Sequence, residues 1–197
     1  MSRLACIVMA SGQAKRFGRN KLVEPFCGVT LLGYTLQNLP REAFSRVLVV
    51  TRWPEAAAIA REMDCEVLLH GRTGRGEGIA LAMERLAGEA GWAFCQADQP
   101  LVSPDSWRRL CAAFAARPGY YRLAWRGEGG SPALFPASAL AGLRALGPQQ
   151  GGGAVLRAHE GEVRLVEAAA EWELWDADTP AQLERLEAIA SRGTTEQ

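Results

Sequence analysis

The sequence has no excess of either charge: 22 lysines and arginines face 22 aspartates and glutamates over 197 residues. A chain balanced in this way has no global positive field to gather nucleic acid or an anionic membrane, so any attraction for phosphate must be local. No run of about 20 apolar residues occurs, and the N-terminus lacks a basic segment followed by a long apolar stretch and a cleavage site. The reading is a soluble, unprocessed protein without nucleic acid or membrane among its partners. Paired cysteine spacing is also missing. Cys6, Cys27, Cys65, Cys95 and Cys111 are scattered and odd in number, which reads as buried reduced thiols rather than disulfides or a zinc site and points to the cytoplasm. Linkers and internal repeats are absent, and at 48% hydrophobic composition the chain suits a single domain over 1–190, with 191–197 expected to be a disordered tail. His70 and His159 stand alone and read as ordinary surface or strand-end residues.

What is present is an alternation of short apolar runs with helical patterns. Leu4 to Met9, Arg46 to Thr51, Cys65 to His70 and Trp92 to Ala97 lack polar alternation, as strands buried on both faces of a parallel sheet do. Between them Pro54 can open a helix with the stripe Ala56, Ile59, Ala60 and Met63, and Ser103-Pro104 another with Trp107, Leu110, Cys111 and Phe114 on one face. Tyr120 to Trp125, Ala133 to Pro136 and Val163 to Val166 read as short strands, Ala137 to Leu146 and Ala154 to His159 as helices. Thr179-Pro180-Ala181-Gln182 starts a last helix through an N-cap, a proline and a capping-box glutamine. This is an α/β pattern of three layers, a mostly parallel central sheet with helices on both faces.

The run Ala10-Ser11-Gly12-Gln13-Ala14-Lys15-Arg16-Phe17-Gly18-Arg19-Asn20-Lys21 follows the first strand directly. Glycines let backbone N–H groups approach phosphates, cations neutralise them, and open α/β sheets bind ligands beyond the carboxyl ends of their strands. Arg16 and Lys21 are the foremost phosphate candidates, with Lys15 and Arg19 behind them. The spacing from Gly12 through Gly18 to Lys21 fits neither G-x-x-x-x-G-K-[ST] nor G-x-G-x-x-G. A second buried strand delivers Asp98 at its end, within Asp98-Gln99-Pro100, and Asp176-Ala177-Asp178-Thr179-Pro180 precedes the last helix. Each of these acidic turns also has a plain reading, as a side chain capping its own turn or the helix dipole.

The first of these stretches resembles the signature L-A-A-G-x-S-x-R-M-G-x-x-K of the molybdenum-cofactor nucleotidyltransferases, with Gly12, Arg16, Gly18 and Lys21 in matching places and Met9, Ser11, Ala14 and Phe17 as departures. Asp98 matches the aspartate of that family's G-D-x-P or V-D-Q-P segment, and Asp176 to Pro180 its D-I-D-T-P run. Gly71 to Met83 resembles a loop that wraps base and ribose, where Glu77 and Gly78 agree but the serines are replaced. Gly130 to Phe135 and Leu146 to Leu156 resemble two further segments, here without their histidine, aspartate and arginine. The resemblance runs from Leu4 to about Leu186.

The resemblance implies the nucleotidyltransferase variant of the Rossmann-like sheet and a transfer in which a terminal phosphate of the acceptor attacks the α-phosphorus of a nucleoside triphosphate. Such a step needs positioning and charge neutralisation more than a covalent nucleophile. Arg16, Lys21 and Asp98 are then the catalytic candidates. Ala10, Ser11, Gly12, Arg16, Lys21 and Gly78 would bind nucleotide, and Asp98 and Asp178 would hold Mg2+, with Asp176 as the fallback ligand. Ser11 in the middle of Ala10-Ser11-Gly12 narrows the space beside the base and favours CTP over GTP. The expected acceptor is molybdenum cofactor or another phosphorylated compound, such as a sugar 1-phosphate, and a molybdenum hydroxylase apoenzyme is a possible partner. A non-catalytic carrier of the finished cofactor is the competing reading, although a carrier has no need of a magnesium-triphosphate site.

Overall fold

The structure is a computed structural model that describes residues 4–12, 17 and 19–193. Lys15, Arg16 and Gly18 of the first loop and residues 194–197 of the expected tail lie outside the described residues. In chain order the strands are β1 (Leu4–Ala10), β2 (Pro25–Phe26), β3 (Val29–Thr30), β4 (Arg46–Thr51), β5 (Glu66–Leu69), β6 (Gly91–Gln96), β7 (Tyr121–Trp125), β8 (Glu128–Pro136) and β9 (Arg164–Glu167). The helices are α1 (Leu31–Gln37), α2 (Pro54–Glu62), α3 (Arg75–Arg85), α4 (Pro104–Ala116), α5 (Leu140–Arg144), α6 (Gly153–Ala158) and α7 (Pro180–Gly193). Seven strands form one sheet in the order β5-β4-β1-β6-β8-β7-β9, and β2 pairs with β3 in a separate hairpin. Pairings β5/β4, β4/β1, β1/β6 and β7/β9 are parallel, whereas β8 runs antiparallel to both of its neighbours.

Alternation along β1 divides the interior in two. Leu4, Cys6, Val8 and Ala10 point into a cluster shared with α1, α2, α4 and α7, while Ala5 and Ile7 point into a second cluster with α3, α5 and α6. The apolar stripes read from the sequence are the faces that pack: Trp107, Leu110 and Phe114 of α4 are fully buried on the first side, and Ile79 and Met83 of α3 on the second. All five cysteines are free, and four of them are buried. Burial pushes the Cys6 thiol well above its ordinary value and the Cys111 thiol up to about 12, so these side chains behave as small hydrophobes. No helix among the described residues is long and apolar enough to cross a membrane.

The structure departs from the sequence reading in several places. The run at 65–70, read as a strand buried on both faces, is the edge strand β5, half-exposed because only β4 pairs with it. The stretch from 23 to 45, to which the pattern assigns no element, contains the β2/β3 hairpin and α1. The strand expected over 133–136 starts at Glu128, because Arg126 (φ +50°) and Gly127 (φ +83°) form a two-residue turn that pairs Trp125 with Glu128. The expected helix over 137–146 is a 3₁₀ turn at Ala137–Ala139 leading into the short α5. The last helix runs on to Gly193, through the first residues assigned to the tail.

The glycine cluster at 71–78, read as a loop, holds the start of α3. Gly74 is its N-cap, and Glu77 accepts from the Gly74 N–H at 3.0 Å. Gly76 donates its N–H to the Pro148 carbonyl at 3.0 Å, so the 147–150 turn lies directly on the first turn of the helix. A Cβ on Gly76 would overlap the Gly147 carbonyl oxygen. Gly76→Ala is therefore expected to cost about 1–3 kcal/mol through enforced backbone displacement, read as a lower urea midpoint at unchanged slope. An unchanged midpoint would show that the turn is not held against α3.

Candidate active site

In the strand order, β1 and β6 are neighbours whose connections leave in opposite directions, toward β4 and toward the β8/β7 hairpin. That is the switch point of an open α/β sheet, where the ends of two strands part and leave a crevice. A cleft of about 650 Å³ opens there, floored by Met9 and Ala10 of β1 and by Gln96, Ala97 and Asp98 at the end of β6. Ser11, Gly12, Lys21, Gly78 and Asp178 also line it. Every described member of the expected nucleotide and metal set thus faces one cavity, and Arg16 lies outside the described residues.

The first wall is pinned by the end of β4. Thr51 Oγ1 donates to the Ala10 carbonyl at 3.0 Å, Ser11 Oγ to the Val50 carbonyl at 3.0 Å, and Trp53 Nε1 to the Gly12 carbonyl at 3.0 Å. Three successive residues, Ala10 to Gly12, are anchored by Val50, Thr51 and Trp53 at the end of the next strand and its exit. The Ser11 hydroxyl is turned back into this scaffold, so any narrowing of the cleft at Ser11 comes from its backbone and Cβ.

Lys21 begins a 3₁₀ turn, Lys21–Val23, capped by Asn20, whose Oδ1 accepts from the Leu22 N–H at 3.2 Å. The turn points the lysine into the cleft, where its side chain is largely buried. Nζ stands 2.6 Å from Asp98 Oδ2 and 2.9 Å from Asp178 Oδ1. Burial works against its charge, but the field of Asp98 and hydrogen bonds to both carboxylates outweigh it and raise the ammonium above its ordinary value. The segment carrying Asp178 is laid onto Asp98 by the backbone: the Ala177 N–H donates to the Asp98 carbonyl at 2.9 Å. Beyond it, Gln182 Oε1 accepts from the Asp178 N–H at 3.0 Å, while Thr179 Oγ1 accepts from the Gln182 N–H at 3.3 Å, so the expected cap forms with the glutamine reaching one residue further back.

Asp178 rather than Asp176 meets Lys21. Asp176 sits at the rim of a neighbouring shallow groove; partial desolvation, with the carboxylates of Asp98 and Asp178 close by, pushes its carboxyl up to about 6. Arg19 pairs with Glu24 at 2.6 Å on the surface and is not among the cleft residues. Five polar residues of the cleft, Asn20, Thr73, Arg75, Gln96 and Gln149, were not among the candidates from sequence, and two of them stand out. Asn20 Nδ2 is buried without a partner among the described residues, and Arg75, on the first turn of α3, enters the cleft with its stem lying against Gly151. Asn20 was legible as a helix-cap residue type next to Lys21, whereas Arg75 lay in a stretch whose resemblance to a base- and ribose-wrapping loop rested on Glu77 and Gly78 and did not single it out.

Two carboxylates converging on one cation, beside an unpaired amide donor, suit an octahedral divalent ion that takes one or two protein carboxylates and completes its shell with water and phosphate. The Lys21 ammonium marks the place between Asp98 and Asp178 that such an ion would contest.

The family model described as the MobA-like NTP transferase domain matches residues 6–163. No curated protein sequence matches the chain. Among solved structures, a nucleotidyl transferase from Methanothermobacter thermautotroptrophicus superposes with a TM-score of 0.82 at 22% identity, over 98% of this chain and 100% of the other. Rv0371c from Mycobacterium tuberculosis H37Rv, in complex with manganese, gives 0.74 at 22% identity over 95% and 99%. Molybdopterin-guanine dinucleotide biosynthesis protein A from Archaeoglobus fulgidus gives 0.70 at 21% identity over 95% and 99%. At these identities the three share with this chain its fold.

Lys21→Met, which keeps an apolar stem and removes the charge, leaves Asp98 and Asp178 facing each other. The expected cost in metal-free buffer is about 1–3 kcal/mol, seen as a lowered melting temperature. Magnesium or manganese should raise the melting temperature of this variant more than that of the parent protein. Equal melting and an equal response to metal would show that no cation is needed between the two carboxylates.

Proposed function

The chain belongs to the MobA-like NTP transferase domain family, which makes it a nucleotidyltransferase, and from that premise we propose that it transfers CMP from CTP to the terminal phosphate of molybdenum cofactor. The observation that carries the proposal is the Lys21 ammonium bridging Asp98 and Asp178 in a cleft at the switch point. In the proposed reaction an oxygen of the acceptor phosphate bonds to the α-phosphorus. The bond from that phosphorus to the bridging oxygen of the β-phosphate breaks, and pyrophosphate leaves with the electron pair. Asp98 and Asp178 would hold Mg2+, whose chemistry is to neutralise phosphate charge and order the oxygens around it. Lys21 would place a positive charge against the α-phosphate, Arg16 would grip the outer phosphates with a forked contact, and Gly12 and Gly78 would let the nucleotide lie close to the backbone.

A residue with a Cβ at Ser11, held hard against β4, supports the choice of the smaller pyrimidine base. The name of the Archaeoglobus fulgidus neighbour favours a second reading, guanylyl transfer from GTP to the same acceptor. A thermal-shift series with magnesium separates them, because a ligand that binds only the native state raises its melting temperature. CTP is expected to give the largest rise among the four ribonucleoside triphosphates. A larger rise with GTP would select the guanylyl reading, and four equal rises would remove the argument from Ser11.

Asp98→Asn keeps the shape of the side chain and removes its charge. Its turnover with CTP, magnesium and molybdenum cofactor, followed as pyrophosphate release, should fall on the order of a hundredfold or more, with far-ultraviolet circular dichroism unchanged. Wild-type turnover with unaltered magnesium dependence would exclude Asp98 as a metal ligand. Absence of pyrophosphate release from the parent protein itself would favour the carrier.

A further inference from the structure

His70, one of only two histidines in the chain, follows β5 directly and is half-buried behind the cleft wall. Its Nδ1 receives the Arg72 N–H at 3.1 Å and its Nε2 lies 3.0 Å from Ser11 Oγ, which in turn reaches the Val50 carbonyl at 3.0 Å. The donors settle the tautomer. A backbone N–H can only donate, so Nδ1 carries the lone pair, the proton sits on Nε2 and points to Ser11, and the serine hydroxyl is left to donate to Val50. The other face of the ring lies against the start of α3: a Cβ on Gly78 would stand 3.2 Å from Nε2 and 3.5 Å from Val50 Cγ1. One imidazole thereby joins the loop after β1 and the first turn of α3, two of the pieces that wall the cleft, to the end of β4 behind them. It also accounts for two sequence features together, a serine at 11 and a glycine at 78.

We propose that His70 is a positioning residue for the nucleotide wall: as a neutral imidazole it fixes Ser11 against β4 and α3, and its protonation in acid releases that wall. Protonation would set an Nδ1–H against the Arg72 N–H and undo the chain of three bonds at its first link. The charged groups around the ring come from three elements, Arg52 from the exit of β4, Arg72 from its own loop and Glu77 from α3. Burial and Arg52 hold the imidazolium below its ordinary range, Glu77 opposes them, and the net direction is down. The neutral form is thus the working form at neutral pH. The proposal rests on the nucleotidyl reading for its binding probe alone.

The test compares the parent protein with His70→Gln and His70→Ala, by calorimetric titration with magnesium-CTP and by amide hydrogen exchange at Ala10, Ser11 and Gly12, near pH 8 and about pH 5.5. The glutamine amide can donate to Ser11 at either pH. His70→Gln should bind like the parent near pH 8 and several-fold more tightly than the parent at the lower pH. His70→Ala should bind roughly tenfold more weakly near pH 8, the worth of one hydrogen bond, with faster exchange in the loop. Protonation of the triphosphate and of Asp176 is common to the parent and the glutamine variant, so it cancels in their comparison. Parallel loss of affinity in these two, or loop exchange in His70→Ala equal to that of the parent, would overturn the proposal. If the parent binds no magnesium-CTP at either pH, the donor assignment fails and the exchange data alone decide the role of His70.

Discussion

Lys21 stands between two carboxylates that reach it from different parts of the chain, with 157 residues separating it from Asp178. Carboxylates that approach one position repel each other unless a cation lies between them; at Asp176, burial first and the charges of Asp98 and Asp178 second push the carboxyl up to about 6, with Lys21 opposing only at a distance. The arrangement around the cleft can be read as what is needed to bring three charges to one point. β6 delivers Asp98 at its carboxyl end, the Ala177 N–H holds the acidic segment of 176–178 on the Asp98 carbonyl, and the Asn20-capped turn aims Lys21 between them. Side chains of this length, left to themselves, would lose entropy and gain little from a surface ion pair. Here the backbone has already fixed their origins, and burial of the lysine strengthens the attraction.

The opposite wall depends on close approach of backbone rather than on charge. Thr51, Val50 and Trp53 take hold of Ala10, Ser11 and Gly12 in register, so the loop leaves β1 along a path set by its parallel neighbour. Gly76 and Gly78 then allow the 147–150 turn and the His70 ring to lie against α3 where larger residues would hold them off. Packing this tight is costly to disturb because the interior has no slack to absorb a methyl group. The wall at Ser11 and Gly78 is closely packed, and the opposite, charged side is held together by ion pairing.

How much of this could be seen in the sequence depended on whether one signal or several converged. The four strands β1, β4, β5 and β6 were legible because short, largely apolar runs between turn signals have few other solutions, and α2, α4 and α7 because proline and an apolar stripe agree. α1 was invisible for the opposite reason. Its seven residues are buried nearly all round, with Leu31, Leu32, Gly33, Thr35 and Leu36 inside, so no stripe exists to be read. The start of α3 was misread because glycine is a poor helix former; its presence there answers to the 147–150 turn, which is distant in sequence, and to the His70 ring, which packs on Gly78 only once the chain has folded back. Lys21, Asp98 and the acidic pair at 176 and 178 were legible as residues beyond strand ends and before a helix, and it was the family resemblance rather than local chemistry that put Asp178 ahead of Asp176. Their separation is a matter of which one the backbone bond at Ala177 turns toward Lys21. His70 read as a bystander because its partners, Ser11, Val50 and Arg72, are scattered through the sequence and only one of them is nearby.

The same ion pairing constrains how the cleft can be filled. As it stands Lys21 already neutralises Asp98 and Asp178, and an ammonium with a raised pKa is not easily removed from between them. It leaves at least cost if its two carboxylates receive another cation and it finds another anion. A divalent ion alone meets the first need and strands the lysine against a like charge. A triphosphate alone meets the second and leaves the carboxylates facing one another and the phosphates. Nucleotide and metal arriving together meet both, because every charge released finds an opposite partner within the same cavity. On the proposed reading, the lysine between two aspartates is a resting arrangement that favours the metal-bound nucleotide over either component alone.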